Sequence, residues 1–427
     1  MNHQKIDLTY NKIEKFLDYS SSEDDDGPVA KRAANITNLK QSAEIDNSHS
    51  AIEIDGAMME GGGQVIRIST AMSVIQGRDL KITNIRGGRP KPGLARQHAC
   101  GVEAACKLRN GITHKGVEIG SQSLEINCNN LIAMTAVREN VVEHIDIKSA
   151  GSISLVLQTI VPILVECENS LVQIKGGTRV DFSPWVDYFN MVFLKMSKLD
   201  KIFKLETIKQ GFNPVGGGLI KLHRKSVYFD ISSLSYSYLD AGKPDKLELY
   251  CFGSGSLSNS CDQIVGLVNL KLQNYGLTVP KESIFQKQYN DKCNVLGCLL
   301  IVKTSTGMVK ACSKLGNMNK NRKFNYGFFV DDLILKFVRK CVQSEACCDD
   351  NMTDQLLVFM AMGGEQSVIR VNYPLSLHAE TAIVLIQKFL PERKFKVLPD
   401  ERGAGEQPTA RVFCMDVDKE HLVDYDN

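Results

Sequence analysis

The sequence predicts an α/β protein made of three repeated units, with a further α/β domain inserted before the last unit. Apolar residues recur at helical spacing in some segments and alternate in others, which indicates helices and strands in turn. The order helix, strand, loop, helix then returns. Ile85 before Arg-Gly-Gly and Ile174 before Lys-Gly-Gly lie 89 residues apart, and Gly61 and Gly151 lie 90 apart. Such a period favours a repeat architecture, although chance similarity of α/β segments is the alternative.

The first unit begins with the alternating strand AIEIDG. Val65, Ile68, Met72 and Ile75 keep helical spacing in the next segment and predict an apolar face for the core. The strand LKITNI and the loop RGGRPKPG follow, and then the helix LARQHACGVEAACKL. The sequence RNG stops this helix, and we expect Gly111 to serve as its C-terminal cap.

The second unit contains the helix GSISLVLQTIVPILV, the strand LVQIKGG and the helix WVDYFNMVFLKM. The third contains TDQLLVFMAMGG, SVIRV and NYPLSLHAETAIVLIQKFL. Between the second and third units lies a stretch that we interpret as an inserted α/β domain. The N-terminal segment is polar and charged, which predicts disorder. The predicted divisions are a disordered tail at 1–49, repeats one and two at 50–228, the inserted α/β domain at 229–320, the third repeat at 321–413 and a C-terminal tail at 414–427.

Composition narrows the possible functions. The formal net charge is +2, so any polyanion site must come from a local group of arginines. The 13 cysteines contain no C-x-x-C pair, which argues against a zinc site and favours a reduced intracellular compartment. The sequence shows no secretory signal and no apolar run long enough to span a bilayer, so we expect a protein that is neither secreted nor membrane-bound.

Two glycine-rich segments could bind an anion. EGGGQ places three glycines just before a helix, where free N–H groups can meet phosphate, but a tight turn explains it equally well. Glu60 beside it could hold a divalent cation or be solvated. In NIRGGRPKPGLARQH, Arg86, Arg89 and His98 gather around a Gly/Pro loop, and Arg67 projects from the preceding helix. Arginine forks suit phosphate oxygens, while a solvated loop is the alternative.

His378 stands where a polar loop becomes an apolar helix. Ser376 is a suitable N-cap, which places the histidine in the first helical turn. The positive end of the helix dipole disfavours imidazolium and therefore favours the neutral ring that a nitrogen nucleophile requires. A solvated helix end is the simpler alternative. The sequence shows no recognisable serine or cysteine catalytic triad, so His378 would itself be the nucleophile.

Several blocks together resemble the RNA 3′-terminal phosphate cyclase family. These are EGGGQVIRISTAMSVIQG, IRGGRPKPGLARQHACGVEAA, GSISLVLQTIVP, GFNPVGGG, TDQLLVFMAM and the helix that carries His378, in the family's order. The resemblance covers roughly residues 50 to 413. It implies three units of a four-stranded sheet with two helices each, plus a smaller inserted α/β domain. It also implies the use of ATP and a divalent metal, Mg²⁺ or Mn²⁺, to turn the 3′-terminal phosphate of RNA into a 2′,3′-cyclic phosphate.

The resemblance assigns roles by position. His378 matches the histidine that becomes adenylylated, and Glu60 matches a metal-linked carboxylate. The positions that match the ATP site are Gln158, Pro184, Asn351, Asp354 and Gln355, together with His378. The positions that match contacts to phosphates or the RNA end are Arg67, Arg86, Arg89, Gln97 and His98.

The chain departs from the family pattern in two places. Arg179 stands where the family often has Asp or Asn. Ala379, Glu380, Thr381 and Ala382 follow the histidine, where only the threonine agrees with the bacterial pattern.

The sequence therefore predicts an ATP-dependent RNA 3′-phosphate cyclase that acts through a covalent histidine–AMP. Its RNA partner would carry a 3′-terminal phosphate, and the eukaryotic members of the family imply the nucleus, with the cytoplasm as the alternative. A non-catalytic RNA-processing protein of the related ribosome-assembly branch is the main rival, but that branch lacks this histidine. A sugar-phosphate or shikimate-type transferase built from similar repeats is a weaker one, because the order of the blocks argues against it.

Overall fold

The computed structural model describes the chain from residue 51 to residue 418 with several gaps. The described residues are 51–128, 140–167, 169–225, 227–290, 293–318, 324–401 and 406–418. The predicted tail at 1–49 and residues 419–427 lie outside them. Within the described residues the chain forms four four-stranded sheets with helices packed on them, which confirms the predicted α/β class and the repeated sheet-plus-helix arrangement.

The first two units have the same order of elements and the same strand order. The first comprises β1 (Ile52–Asp55), α1 (Gly63–Gln76), β2 (Leu80–Thr83), α2 (Arg96–Lys107), β3 (Thr113–Lys115) and β4 (Leu124–Asn127). The second comprises β5 (Asn140–Asp146), α3 (Ile153–Leu164), β6 (Asn169–Gly176), the helical segment α4, β7 (Phe203–Lys209) and β8 (Gly218–Arg224). Segment α4 runs through Val186–Tyr188, the π-helical turn Phe189–Phe193 and Leu194–Met196.

The third unit is interrupted directly after its first strand, β9 (Ser237–Tyr238). The insertion comprises β10 (Pro244–Ser254), α5 (Cys261–Gln273), β11 (Ile284–Tyr289), β12 (Val295–Thr304), β13 (Val309–Asn317) and α6 (Tyr326–Phe337). The third unit resumes with α7 (Asp350–Met362), β14 (Ser367–Asn372), α8 (Leu377–Phe389), β15 (Arg393–Pro399) and β16 (Thr409–Asp416).

One pairing rule holds in all three units. The first strand lies parallel to the second, the fourth strand lies antiparallel to the second, and the third strand takes the far edge. The register pairs Ile54 with Ile82 in the first unit and Ile145 with Ile174 in the second. In the third, Tyr238 pairs with Ile369 across the insertion. The parallel pair needs a crossover helix, so α1, α3 and α7 occupy equivalent places.

The helices α1, α2, α3, α7 and α8 pack on one another and form the centre of the main core. Val65, Ile68 and Met72 are buried there, as the helical spacing predicts. The predicted cap at Gly111 is wrong. Helix α2 ends at Lys107, and Leu108 is still right-handed. Gly111 lies in the turn before β3, where its φ of 81° needs a glycine.

The inserted sheet has the strand order β11-β10-β12-β13. Helices α5 and α6 cover one face of it around a separate apolar core. Thus α6, which lies beyond the predicted boundary at residue 320, packs with the insertion. Strand β9, which lies inside the predicted 229–320 segment, pairs with the third unit. In the described part of the chain, no helix combines the length and apolar character needed to cross a bilayer.

Candidate active site

His378 lies at the start of α8, in the first turn of the helix. Ser376 is the N-cap, and its Oγ accepts a hydrogen bond from the backbone N–H of Ala379 at 3.1 Å, as predicted. The imidazole is 49% exposed, so a ligand can reach it. Its Nδ1 lies 4.0 Å from Oε1 of Glu60, whose side chain is only 7% exposed. The histidine thus combines solvent access with a buried carboxylate from the first unit beside it.

Glu60 fastens the glycine-rich turn of the first unit to α8. Its backbone N–H donates to Thr381 Oγ1 at 3.3 Å, and its Oε2 accepts from the N–H of Gly62 at 2.7 Å. Arg89 donates to Oε1 at 2.5 Å and to the backbone oxygen of Glu60 at 3.2 Å. Both carboxylate oxygens are therefore already bound by the protein. Thr381, the residue that agrees with the family pattern after the histidine, holds the turn in place.

The glycines of EGGGQ let two side chains come close to the backbone. A Cβ on Gly63 would lie 2.5 Å from His98 Nε2 and 2.7 Å from an Arg67 guanidinium nitrogen. Any other residue here would displace one of these groups. The triple glycine therefore has a definite role at the site, since it makes room for a histidine and an arginine beside the start of α1.

Arg67 is a buried cation held by an amide. Its side chain donates to Gln64 Oε1 at 2.9 Å, and Gln64 Nε2 donates to the backbone oxygen of His378 at 3.3 Å. Burial lowers the pKa of Arg67, and the nearby carboxylates of Glu60 and Asp354 oppose this. Arginine remains charged in proteins, so a positive charge persists in this low-dielectric place.

His98 is a neutral hydrogen-bond donor at the same place. Burial lowers its pKa to about 3, with further contributions from the positive charges of Arg67 and Arg86. Its Nδ1 accepts from the backbone N–H of Ala95 at 3.3 Å, so the ring carries its proton on Nε2. That N–H lies beside Gly63 and can donate to an anion.

The other predicted phosphate contacts are engaged with the backbone. Arg86 has a φ of 53° and donates to the oxygen of Gly93 at 2.9 Å, which braces the loop. Burial and the charge of Arg89 lower the pKa of Arg86. Gln97 Oε1 accepts from the N–H of Ser152 at 2.8 Å and so ties α2 to the start of α3. In this structure Arg86 and Gln97 support neighbouring segments.

A small pocket opens between α1, α3 and α7. Its polar lining consists of Gln64, Arg67, Gln158, Asp354 and Gln355. Burial raises the pKa of Asp354 to about 7, although Arg67 and a hydrogen bond from Gln64 oppose the rise. Within the described residues, Asp354 Oδ1 and Gln355 Oε1 are buried without a hydrogen-bond partner. Such atoms are costly unless a ligand satisfies them.

The donors and acceptors of this pocket fit a nucleotide. Amide and carboxyl groups suit the base edge and ribose hydroxyls, and Arg67 suits a phosphate. A metal fits less well. Among the described residues no group of three or more His, Cys, Asp or Glu side chains could hold an ion, and both oxygens of Glu60 already have protein partners. The protein atoms therefore do not form a metal site by themselves.

The remaining predicted residues lie at the margins. The carbonyl of Pro184, just before α4, accepts from Ser154 Oγ on α3. Asn351 is an exposed residue in the first turn of α7, and its backbone oxygen accepts from Gln355 Nε2 at 2.5 Å. Sequence reasoning missed Gln64, which links Arg67 to the backbone of His378. Its position directly after the three glycines, and one turn before Arg67, is the signal that could have found it.

The chain is also similar in sequence to known proteins. The family model for RNA 3′-terminal phosphate cyclase matches residues 58–397. A Saccharolobus islandicus protein named RNA 3′-terminal phosphate cyclase is 30% identical over 341 residues, which is 79% of this chain and 94% of the relative. Proteins of the same name from Archaeoglobus fulgidus and Sulfurisphaera tokodaii are 39% and 42% identical, over 40% of this chain and 50% and 48% of their own.

Proposed function

The chain belongs to the RNA 3′-terminal phosphate cyclase family, and we propose that it uses ATP to convert the 3′-terminal phosphate of an RNA into a 2′,3′-cyclic phosphate. The observation that carries this proposal is the position of His378. It is exposed at a helix N-terminus, beside a buried carboxylate and next to a cluster that contains a buried cation. RNA processing follows as the cellular role, and we expect the nucleus as its location.

In the first step, His378 acts as the nucleophile. Its Nδ1 is the nitrogen nearer to Glu60, so we assign the attack to Nε2. A P–N bond forms to the α-phosphorus of ATP, the bond from that phosphorus to the bridging oxygen breaks, and pyrophosphate leaves. Arg67 and the Nε2–H of His98 are fixed donors that can stabilise the charge on the phosphate oxygens.

Two further transfers complete the reaction. An oxygen of the RNA 3′-phosphate attacks the AMP phosphorus, the P–N bond breaks, and His378 is released. The 2′-hydroxyl then attacks the 3′-phosphorus and loses its proton, and AMP leaves. We assign the nucleoside of ATP to the pocket with Gln158, Asp354 and Gln355, because two buried polar atoms there, Asp354 Oδ1 and Gln355 Oε1, have no hydrogen-bond partner among the described residues. We derive no step from a divalent metal, Mg²⁺ or Mn²⁺, since the protein groups do not form a site for one.

The first prediction is that His378 captures AMP. The protein incubated with ATP labelled at the α-phosphorus should become labelled, and the label should leave in acid but survive base, as expected of a phosphoramidate. His378→Ala should abolish the label, whereas His223→Ala, at an exposed histidine on β8, should retain it. Label captured by His378→Ala at the wild-type rate would refute the assignment.

RNA termini distinguish the cyclase from its non-catalytic rival. A strand with a 3′-phosphate should become cyclic. The same strand with a 2′-deoxy terminal sugar should stop at the adenylylated end because it lacks the internal nucleophile. A 3′-hydroxyl strand should not react. Equal binding of all three without adenylate transfer would favour a non-catalytic RNA-processing protein.

A further inference from the structure

The inserted sheet has one face that its own helices do not cover. Tyr250 and Phe252 on β10 point away from the core that α5 and α6 form. Phe252 packs into the main core, stacked on Phe212 with ring centroids 5.1 Å apart and edge-on to Trp185 at 5.6 Å. Toward the edge strand β11 this cover ends, and an open cleft remains between the sheet and the segment 179–187.

Two stacked rings form one wall of this cleft. Tyr250 is the register partner of Phe285 on β11, and their rings lie nearly parallel, with centroids 4.6 Å apart and an interplanar angle of 15°. Phe285 is 45% exposed. The exposed ring of Phe285 is thus held in place by Tyr250 on one face. A flat ring surface that is open on one side is suited to stack a nucleobase.

The charges around the cleft leave it locally positive. Asp187 is bound at two points by Arg179, at 2.7 and 2.9 Å. Glu248 accepts from Tyr250 Oη at 3.1 Å and from Lys303 Nζ at 2.5 Å. Both acidic groups near the rings are therefore matched by cations. Lys287 shares the face of Phe285, two residues further along β11, and within the described residues it makes no ion pair.

The cleft is linked in sequence to one of the predicted ATP-site positions. Trp185, which lines the cleft, directly follows Pro184, whose carbonyl is held by Ser154 on α3. The segment 184–185 therefore connects the cleft with the residues that the family resemblance places around ATP.

We propose that this cleft binds an unpaired nucleotide of the RNA upstream of its 3′ end, with the base stacked on Phe285 and its phosphate beside Lys287. The inference rests on the proposed function, because it takes RNA as the substrate. The rings alone would suit any nucleobase, including the adenine of ATP. RNA is the occupant that the cleft favours, because the pocket between α1, α3 and α7 offers the amide and carboxyl groups of Gln158, Asp354 and Gln355, which suit ATP, whereas the cleft offers an open ring and a cation.

The test compares two exposed-residue variants with matched controls. Phe285→Ala and Lys287→Ala alter the cleft. Tyr228→Ala removes a ring that is 90% exposed elsewhere, and Lys281→Ala removes an exposed lysine just before β11. Affinity for a 3′-phosphorylated decamer RNA without ATP and label capture from ATP are measured for each. Cyclisation of a single nucleoside 3′-phosphate, which has no upstream nucleotide, is measured in parallel.

Phe285→Ala should weaken decamer binding by about five- to a hundredfold. Lys287→Ala should weaken it less and reduce its salt dependence. Both controls should bind normally, and both cleft variants should keep label capture and mononucleotide cyclisation. Unchanged decamer affinity in Phe285→Ala would overturn the proposal, and so would a parallel loss of label capture, since that would assign the cleft to ATP. Weakened RNA binding in a protein that never captures label would uphold the cleft and refute the adenylyl transfer.

Discussion

Two arginines are buried to almost the same extent but are held in opposite ways. Arg67 is 8% exposed and Arg179 is 7% exposed. Arg179 forms a two-point ion pair with Asp187 and lies 4.1 Å above the ring of Phe252. Arg67 donates to the neutral amide of Gln64 instead, and within the described residues no carboxylate pairs with it directly. Burial lowers the pKa of both guanidinium groups, but at Arg179 the charge and hydrogen bonds of Asp187, together with Tyr289, outweigh it and the net pKa is raised.

This difference separates a structural cation from a functional one. The charge of Arg179 is neutralised by Asp187 within the second unit, and its guanidinium lies against the ring of Phe252 in the insertion. The charge of Arg67 is held rigid but is not neutralised by a paired carboxylate, and it faces the pocket between α1, α3 and α7. A preorganised charge of this kind is what an enzyme aims at a reacting phosphate. Arg179, which stands where the family often has Asp or Asn, therefore affects the contact with Phe252 of the insertion. It leaves Arg67, the cation of the candidate site, unchanged.

The largest expected effect is on stability at Arg179. Arg179→Met should destabilise the protein by roughly 3–5 kcal/mol, because Asp187 would remain buried without its partner. Urea unfolding measures the loss. The double variant Arg179→Met/Asp187→Leu should recover part of it, since no buried charge is left alone. A single variant as stable as the wild type would show that the ion pair does not stabilise the fold.

The next effect is on catalysis at Arg67. Arg67→Met should slow label capture from ATP roughly 100- to 1,000-fold, the usual loss on removing one transition-state donor. Its melting temperature should change much less than that of Arg179→Met, because no paired carboxylate is abandoned. Rate and melting temperature are measured on the same preparations. If Arg67→Met loses as much stability as Arg179→Met and captures label at the normal rate, Arg67 is a structural residue like Arg179.

The smallest effect is a pH dependence near Arg67. Burial raises the pKa of Asp354 to about 7 in the folded protein, from 3.8. As the pH rises from about 4 to about 7, the unfolded chain loses this proton before the folded chain does, so folding stability falls. Asp354→Asn cannot ionise and should gain stability relative to the wild type between pH 5 and pH 8. Burial also raises the pKa of Asp349, to about 6. Because both proteins contain Asp349, its contribution cancels when their free energies of unfolding are compared. If the free energies of unfolding of Asp354→Asn and the wild type differ by the same amount at pH 5 and pH 8, the raised pKa of Asp354 is refuted.

Local patterns predicted the elements, and they failed where distant parts of the chain decide the structure. The spacing of Val65, Ile68 and Met72 predicted α1 because a buried helical face follows from the residues themselves. The two-residue strand β9 is too short to show a period, and only its pairing with β14 makes it part of the third unit. Helix α6 looks like any amphipathic helix, and packing alone assigns it to the insertion.

The site divides in the same way. His378 and the arginine loop stand out in the sequence, since a capped histidine and clustered cations have a local signature. Asp354 and Gln355 came only from the family resemblance, because a buried carboxyl cannot be told from a solvated one by its neighbours in sequence. Gln64 was missed for the same reason. Its function depends on two partners, and one of them, His378, lies 314 residues away.

That separation has a consequence for the synthesis of the protein. The turn at Glu60 is held by Thr381, 321 residues later, and Gln64 holds the backbone of the proposed nucleophile. The ribosome synthesises the first unit, with Arg67, long before it synthesises α8. During that time the nascent chain does not yet contain His378. Closing so long a loop comes late in folding. On the proposed mechanism, activity therefore appears only when the last repeat docks on the first, and a chain terminated before residue 378 lacks the proposed nucleophile.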